Sequence, residues 1–231
     1  MANDREKEAA ARASLQFIKD GQVVGLGTGT TAAHFVHLLG EQVQKGLKIR
    51  GIPTSERSRQ QAANLGIPLT TFEECQSIDV TVDGADEVDP QLRLIKGGGG
   101  ALLREKIVAS ATKQMVVVAD ASKRVAVLGK FPLPVEVIKF ARPLVEKRIA
   151  ALGADVDLRR NSDGQPYLTD ENNYILDCRF GRIENVDALA RQLSDMPGVV
   201  EHGLFIGMAN IVLVAVEGRI VELRREDLLS A

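Results

Sequence analysis

Between residues 23 and 119 the chain alternates short, β-branched apolar runs with segments of helical spacing. This alternation restricts the possible folds more than any other feature. Residues 23–26, 47–52, 78–82 and 115–119 read as buried strands closed by glycine or polar turns, and 66–71 as a turn with a short strand. Residues 30–39, 55–65 and 101–111 have helical spacing, and Ser55 suits an N-cap. Ahead of them, Ala9, Ala10, Ala13, Phe17 and Ile18 recur at helical intervals, and Gly21 stands where a helix would stop. Strand after helix after strand implies a parallel sheet with helices on both faces.

The punctuation changes at Phe131-Pro132-Leu133-Pro134, which suits neither a helix nor a central strand and reads as a linker. Beyond it come a helix at 143–152, a strand at 154–158, a polar turn at 161–166 and a strand at 174–176. A helix at 186–193 and a strand after Pro197-Gly198 complete a small unit. Residues 211–216 and 220–223, around Gly218, read as a pair of strands returning to the first sheet. The expected fold class is α/β: a Rossmann-like parallel sheet domain over residues 1–132 plus 207–231, with a second, smaller α+β domain over 133–206.

Three polar clusters each follow an expected parallel strand. In open α/β sheets the site lies beyond the carboxyl ends of the strands, so all three are expected at one crevice. The first is Gly25-Leu26-Gly27-Thr28-Gly29-Thr30-Thr31-Ala32, whose glycines let backbone approach an anion at a helix N-terminus. It fits G-x-G-x-x-A, but no acidic residue follows the second strand to bind a ribose. A phosphate or phosphosugar site is favoured over a dinucleotide site or a structural turn. The second cluster, Asp83-Gly84-Ala85-Asp86-Glu87-Val88-Asp89, holds four carboxylates in seven residues. It reads as a capping turn, a metal site, or a group that binds substrate hydroxyls and moves protons. In the third, Lys96-Gly97-Gly98-Gly99-Gly100, four successive glycines are too costly in conformational entropy for a plain linker, and their N–H groups can form a nest for an oxyanion. Glu105 lies shortly after it, in a helix where a lone Glu is ordinarily solvated. Lys123 follows the strand at 115–119 and can pair with a phosphate.

Composition removes other classes. The 29 Lys and Arg against 31 Asp and Glu give a net charge of −2, without the basic surplus that a phosphate backbone requires, and 4% aromatics leave few stacking platforms. Neither a nucleic-acid nor a membrane partner is expected, because the longest apolar runs fall far short of the roughly 20 residues that span a bilayer. Cys75 and Cys178 form no C-x-x-C pair, and His34 and His37 lack a third ligand, so no metal is expected. The charged first ten residues suit no secretory signal, so a cytoplasmic location is expected.

The chain resembles the ribose-5-phosphate isomerase, type A, family. The resemblance rests on Gly27-Thr28-Gly29-Thr30-Thr31-Ala32, Asp83-Gly84-Ala85-Asp86-Glu87, Lys96-Gly97-Gly98-Gly99, Arg104-Glu105-Lys106, Ala119-Asp120-Ala121-Ser122-Lys123 and the nine residues from Gly129 to Val137. It implies an aldose–ketose isomerase of the pentose phosphate pathway that needs no cofactor and takes a small phosphosugar. It implies Glu105 as the proton-transferring base, Asp83 and Asp86 as substrate-binding acids, one of them assisting ring opening, and Lys96 with Gly97, Gly98 and Gly99 around the sugar oxygens. By the same resemblance Thr28, Gly29, Thr30, Thr31, Gly84, Ala85 and Lys123 bind substrate, with Lys7 near the phosphate. Partial burial is expected to raise the pKa of Glu105 toward the working pH. A homo-oligomer, dimer or tetramer, is implied as well. Thr30 stands where many members have Ser, Gly100 and Leu103 replace a common Ala and Thr, and Ile206-Gly207-Met208-Ala209-Asn210 differs from the family pattern.

Overall fold

Five parallel strands and one antiparallel edge strand make the larger sheet of the computed structural model, which describes residues 2–229. In chain order the first elements are α1 (Ala2–Ser14), β1 (Val23–Leu26), α2 (Thr30–Gln44), β2 (Arg50–Pro53), α3 (Glu56–Asn64) and β3 (Ile78–Gly84). Then come β4 (Glu87–Val88), β5 (Leu94–Ile95), α4 (Leu102–Ser110), β6 (Thr112–Asp120), β7 (Leu133–Val137), α5 (Arg142–Ala151) and β8 (Asp155–Leu158). The last are β9 (Tyr174–Arg179), α6 (Val186–Ser194), β10 (Val199–His202), β11 (Leu204–Phe205), β12 (Ala209–Val216), β13 (Arg219–Arg224) and α7 (Arg225–Leu229). The chain divides into two units. The first holds Met1–Ala85, Arg104–Arg124 and Gly207–Ala231; the second holds Asp86–Leu103 and Val125–Ile206.

In the first unit the sheet order is β13-β12-β6-β3-β1-β2. The strand order reverses between β1 and β3, and at such a switch point the loops after the two strands diverge and leave room for a ligand. Alternation along β1 divides the apolar residues between the faces. Val24 and Leu26 join Phe35, Leu39, Val82, Val118 and Leu213 in one core, whereas Val23 joins Ile52, Ile78 and Val108 in the other. The expected return of the C-terminus is found: β12 pairs parallel with β6 and antiparallel with β13. The turn between them takes Glu217 and Gly218 to positive φ, a conformation suited to a two-residue hairpin. At the register shift of β12 against β6, Asn210 Oδ1 accepts the Met115 N–H at 2.7 Å, so this departure from the family pattern supplies an acceptor that the ladder lacks there. The short strand expected near residues 66–71 shrinks to one parallel bridge, Gly51 with Leu69.

In the second unit an antiparallel sheet of order β10-β7-β9-β8 packs its apolar face with α5 and α6 around Val135, Val145, Leu176 and Leu193. A three-stranded sheet, β11-β5-β4, belongs to the same unit and has too few residues per strand to show periodicity. Through it, and through Leu128 in the core, residues 86–103 and 125–132 join the second unit rather than the first domain expected from the sequence. The expected linker also needs correction, since Leu133 and Pro134 begin β7, an interior strand. Pro134 is tolerated there because its carbonyl accepts from Gly203, just past the end of β10. The face on which proline has no N–H therefore meets a strand that has already ended.

Candidate active site

At the switch point of the first unit the loop after β1 is tied to Asp83 at the end of β3. Asp83 is fully buried, and its Oδ1 accepts the N–H of Thr28 at 3.1 Å and of Gly84 at 2.7 Å. Gly27 is required by this contact: a Cβ there would lie 2.4 Å from Asp83 Oδ1 and 2.6 Å from its Cα. This glycine thus admits the carboxylate, where the sequence suggested close approach to an incoming anion. The hydroxyl of Thr28 turns inward, 2.7 Å from Thr54 Oγ1 and 2.8 Å from Ser55 Oγ, while Ser58 Oγ donates to the Gly27 carbonyl at 2.7 Å. Thr54, Ser55 and Ser58 therefore support this loop, a role with no signal in the sequence beyond the Ser55 cap, which the structure shows accepting from the Ser58 N–H at 3.1 Å. Gly29, at φ 110°, opens α2 without a side-chain cap, and Thr30 is exposed beside it while Thr31 is buried. The first N–H groups of such a helix have no intrahelical acceptor and can bind an anion.

Glu105 occupies the first turns of α4 and is 3% exposed, in contrast to the solvated position expected of a lone helical Glu. Val108, one turn later, packs on Val23 and Ile78 at the starts of β1 and β3, so the Glu105 turn lies toward the carboxyl ends of those strands. Its neighbour Arg104 donates to Glu56 Oε1 at 3.1 Å, and together with Arg59 holds the Glu56 carboxyl below the usual range. Asp120 ends β6 on the same sheet edge. Its Oδ1 accepts the Ser122 N–H at 2.9 Å, and its Oδ2 is buried with no hydrogen-bond partner among the described residues. Lys123 is half-buried in the turn that follows, and Lys7 is half-exposed on α1.

The other sequence candidates belong to the second unit. Asp86 accepts the Gly98 N–H at 2.7 Å, and the Gly100 N–H donates to the Gly97 carbonyl at 3.0 Å. Gly98 and Gly99 are exposed, and Gly97 and Gly100 take φ of 101° and 84°. Lys96 is 2% exposed with its ammonium 5.5 Å from the Phe205 ring centroid. Gly100 packs beneath Tyr167: a Cβ at that position would lie 2.2 Å from Tyr167 Oη, which accounts for glycine where the family pattern has alanine. Neither Phe205 nor Tyr167 carries a motif, so both were silent in the sequence.

The acidic cluster resolves into carboxylates with separate tasks. Glu87, 2% exposed, accepts the N–H groups of Gly129 at 2.7 Å and Phe131 at 2.6 Å. Asp89 closes its own turn by accepting from the N–H groups of Gln91 and Arg93, both at 2.9 Å, and pairs with the Arg93 guanidinium. Each charge has its own donors, so the four do not form a cation cage, and among the described residues no group of three or more His, Cys, Asp or Glu is placed to hold a metal. Gly84 and Ala85 serve as the half-exposed backbone that links Asp83 to Asp86. The first unit offers buried carboxyls suited to proton transfer; the second, by itself, offers a buried ammonium and the exposed backbone of Gly99, groups suited to an oxyanion.

A family model described as ribose 5-phosphate isomerase A (phosphoriboisomerase A) matches residues 50–219. Ribose-5-phosphate isomerase A of Parvibaculum lavamentivorans is 54% identical over 222 residues, covering 94% of this chain and 96% of its own. The protein of that name from Nitrobacter hamburgensis is 50% identical, covering 97% of this chain and all (100%) of its own. A D-ribose-5-phosphate isomerase solved in complex with phospho-erythronic acid superposes with a TM-score of 0.94 at 39% identity, over 97% of this chain and 100% of that one. The Methanocaldococcus jannaschii ribose 5-phosphate isomerase A superposes with a TM-score of 0.91 at 39% identity, over 95% and 98% of the two chains.

Proposed function

This chain belongs to the ribose 5-phosphate isomerase A family, and we propose from that premise that it interconverts ribose 5-phosphate and ribulose 5-phosphate with Glu105 as the proton carrier. The observation that carries the assignment of Glu105 is its burial, 3% exposed in the first turns of α4. A carboxylate shielded from water is a stronger base toward a carbon acid than one in bulk solvent.

Glu105 takes the proton from C2 of the open-chain aldose, and the electron pair left behind shifts through C1 onto O1, giving an enediolate. The proton is returned to C1 as the O2 hydroxyl loses its own proton to become the ketone, and O1 is protonated. Lys96 and the glycine N–H groups of Gly97 to Gly99 stabilise the oxyanion. Asp83 and Asp86, with Gly84 and Ala85 between them, hold sugar hydroxyls, and one of the two acids assists ring opening. Gly29, Thr30 and Thr31 at the α2 N-terminus, shaped by Thr28, take polar groups of the ligand, with Lys123 and Lys7 adding charge for the phosphate. Binding energy from that remote phosphate is available to orient the reacting carbons.

The test is an isomerase assay with ribose 5-phosphate in the presence of a chelator, on the parent protein and on Glu105→Gln. The variant is expected to lose about 10²–10⁴-fold in turnover while retaining the parent circular dichroism spectrum. A near-normal rate in Glu105→Gln removes this residue from the mechanism.

The same reading makes the protein a cytoplasmic homo-oligomer, a dimer or tetramer. In its favour, Phe140 is 96% exposed beside the exposed Ile138 and Leu144, an apolar patch that a monomer would leave wet. Cys75 and Cys178 are both free, as suits a reducing compartment, and no helix among the described residues is long and apolar enough to cross a membrane. Light scattering on the parent and on Phe140→Ser tests the assembly.

A further inference from the structure

Behind the glycine loop of the second unit stands Arg159, the residue after β8. Its guanidinium meets the Asp177 carboxylate of β9 in a two-pronged pair, with Nε donating to Oδ2 at 2.9 Å and Nη2 to Oδ1. The third nitrogen, Nη1, donates to the carbonyls of Gly97 at 2.8 Å and Gly98 at 3.2 Å. The Arg159 side chain is 14% exposed and that of Asp177 21%, and the Tyr167 ring lies 6.0 Å from the guanidinium carbon. The backbone is pinned as well: the Arg159 N–H donates to the Ile175 carbonyl at 2.9 Å, and its own carbonyl accepts from Tyr167 at 2.9 Å.

Planar trans peptides turn this into an orientation device, because the carbonyl and N–H of one peptide unit point in opposite directions. No peptide among the described residues is cis. The peptide joining Gly97 to Gly98 directs its carbonyl at Arg159 and its N–H at Asp86 Oδ2, 2.7 Å away. The next peptide also directs its carbonyl at Arg159, so the N–H of Gly99 points away from the guanidinium, on an exposed stretch of loop. The Gly98 N–H is taken by Asp86, so the Gly99 N–H is the donor this loop leaves for an oxyanion, and four glycines in a row have no side-chain packing to hold it so. The planar guanidinium, with its donors in a fixed fork, can brace two carbonyls and a carboxylate at once, whereas an ammonium lacks that geometry.

We propose that Arg159, oriented by Asp177, is a positioning residue that presents the Gly99 N–H of the glycine loop to the enediolate oxyanion. The proposal rests on the reading that this loop holds the sugar oxygens. Because the oxyanion develops along the reaction, a misaimed loop is felt in the transition state more than in substrate binding.

The experiment measures kcat and KM for ribose 5-phosphate, with thermal melting, on the parent, Arg159→Lys, Arg159→Met, Asp177→Asn, the double variant Arg159→Lys/Asp177→Asn, and Glu105→Gln. Arg159→Lys is expected to lose about 10- to 100-fold in kcat with KM within about threefold of the parent. Arg159→Met should lose at least as much, Asp177→Asn less, and the double variant no more than Arg159→Lys alone, since the two side chains act as one brace. Parent-like kcat in both Arg159 variants overturns the proposal. So does a loss that falls on KM alone, or one that vanishes when rates are corrected for the folded fraction. Parent-like turnover in Glu105→Gln would instead refute the catalytic reading on which the proposal rests. An inactive Glu105→Gln beside fully active Arg159 variants would leave that reading standing and sink the role of Arg159 alone.

Discussion

The backbone N–H of Thr28 donates to Asp83 Oδ1 at 3.1 Å, which ties the loop after β1 to the end of β3 at the point where the strand order reverses. The same oxygen accepts from Gly84, so one fully buried carboxylate organises two backbone segments. Asp83→Ala leaves both N–H groups without that acceptor. We expect a loss of about 1–3 kcal/mol in urea unfolding, together with a fall in kcat/KM measured on the folded protein. Unchanged stability would mean that the carboxylate is not an organiser of this loop.

Gly27→Ala places a methyl group 2.4 Å from Asp83 Oδ1 and 2.6 Å from the Asp83 Cα, where backbone cannot yield without disturbing β3. Overpacking of this kind costs about 1–3 kcal/mol or more. The expected result is a lower melting temperature and weakened turnover in the same variant. A parent-like melt would show that the two segments are not in such close contact.

Asp86 and Glu87 are adjacent in sequence but separable in function. Glu87 receives the N–H groups of Gly129 and Phe131, whereas Asp86 receives that of the exposed Gly98. Glu87→Ala should therefore destabilise the protein by about 2–4 kcal/mol, the range for a buried charge-assisted pair of bonds, with kcat/KM of the folded fraction near the parent value. Asp86→Ala should show the opposite pattern, a large fall in kcat/KM with a small change in unfolding midpoint. Both are read from denaturant titrations run alongside the isomerase assay.

Glu136, 1% exposed on β7, accepts from Thr169 Oγ1 at 2.9 Å and Asn173 Nδ2 at 3.0 Å. Burial pushes its carboxyl above the ordinary value of 4.5, against the lowering effect of those two bonds. A carboxyl whose pKa is raised on folding holds its proton more tightly in the folded state. Its contribution to stability is complete below 4.5 and is lost as pH rises through the raised value. Glu136→Gln keeps an acceptor oxygen and removes the titration. The stability of the variant relative to the parent should therefore grow between about pH 4 and pH 8 in chemical denaturation. A pH-independent difference between the two proteins would contradict the assignment.

The parallel sheet was legible because buried parallel strands are short, continuous apolar runs, and the runs ending at Leu26, Val82 and Ala119 are separated by helical spacing. Pro134 was misread for a physical reason. Proline is excluded from interior strands only where its missing N–H would face a partner, and the end of β10 depends on a pairing that links residues 62 or more positions apart. The two-residue strands β4, β5 and β11 are too short to carry a period.

Within the site, the glycine and acidic clusters marked themselves by composition, and the chemistry they could perform followed from their residue types. The supporting residues did not. Thr54, Ser58, Arg159, Tyr167 and Phe205 are ordinary in their local sequence and acquire roles only through partners brought to them by folding. The sequence by itself determined the helices, the parallel strands of the larger sheet and the loops rich in anion-binding backbone, because periodicity and glycine content act locally. Only the tertiary structure decided that Glu105 is buried, that Gly27 makes room for Asp83, and that Arg159 braces the glycine loop. Burial and long-range hydrogen bonds depend on which distant residues meet, and no local pattern encodes that.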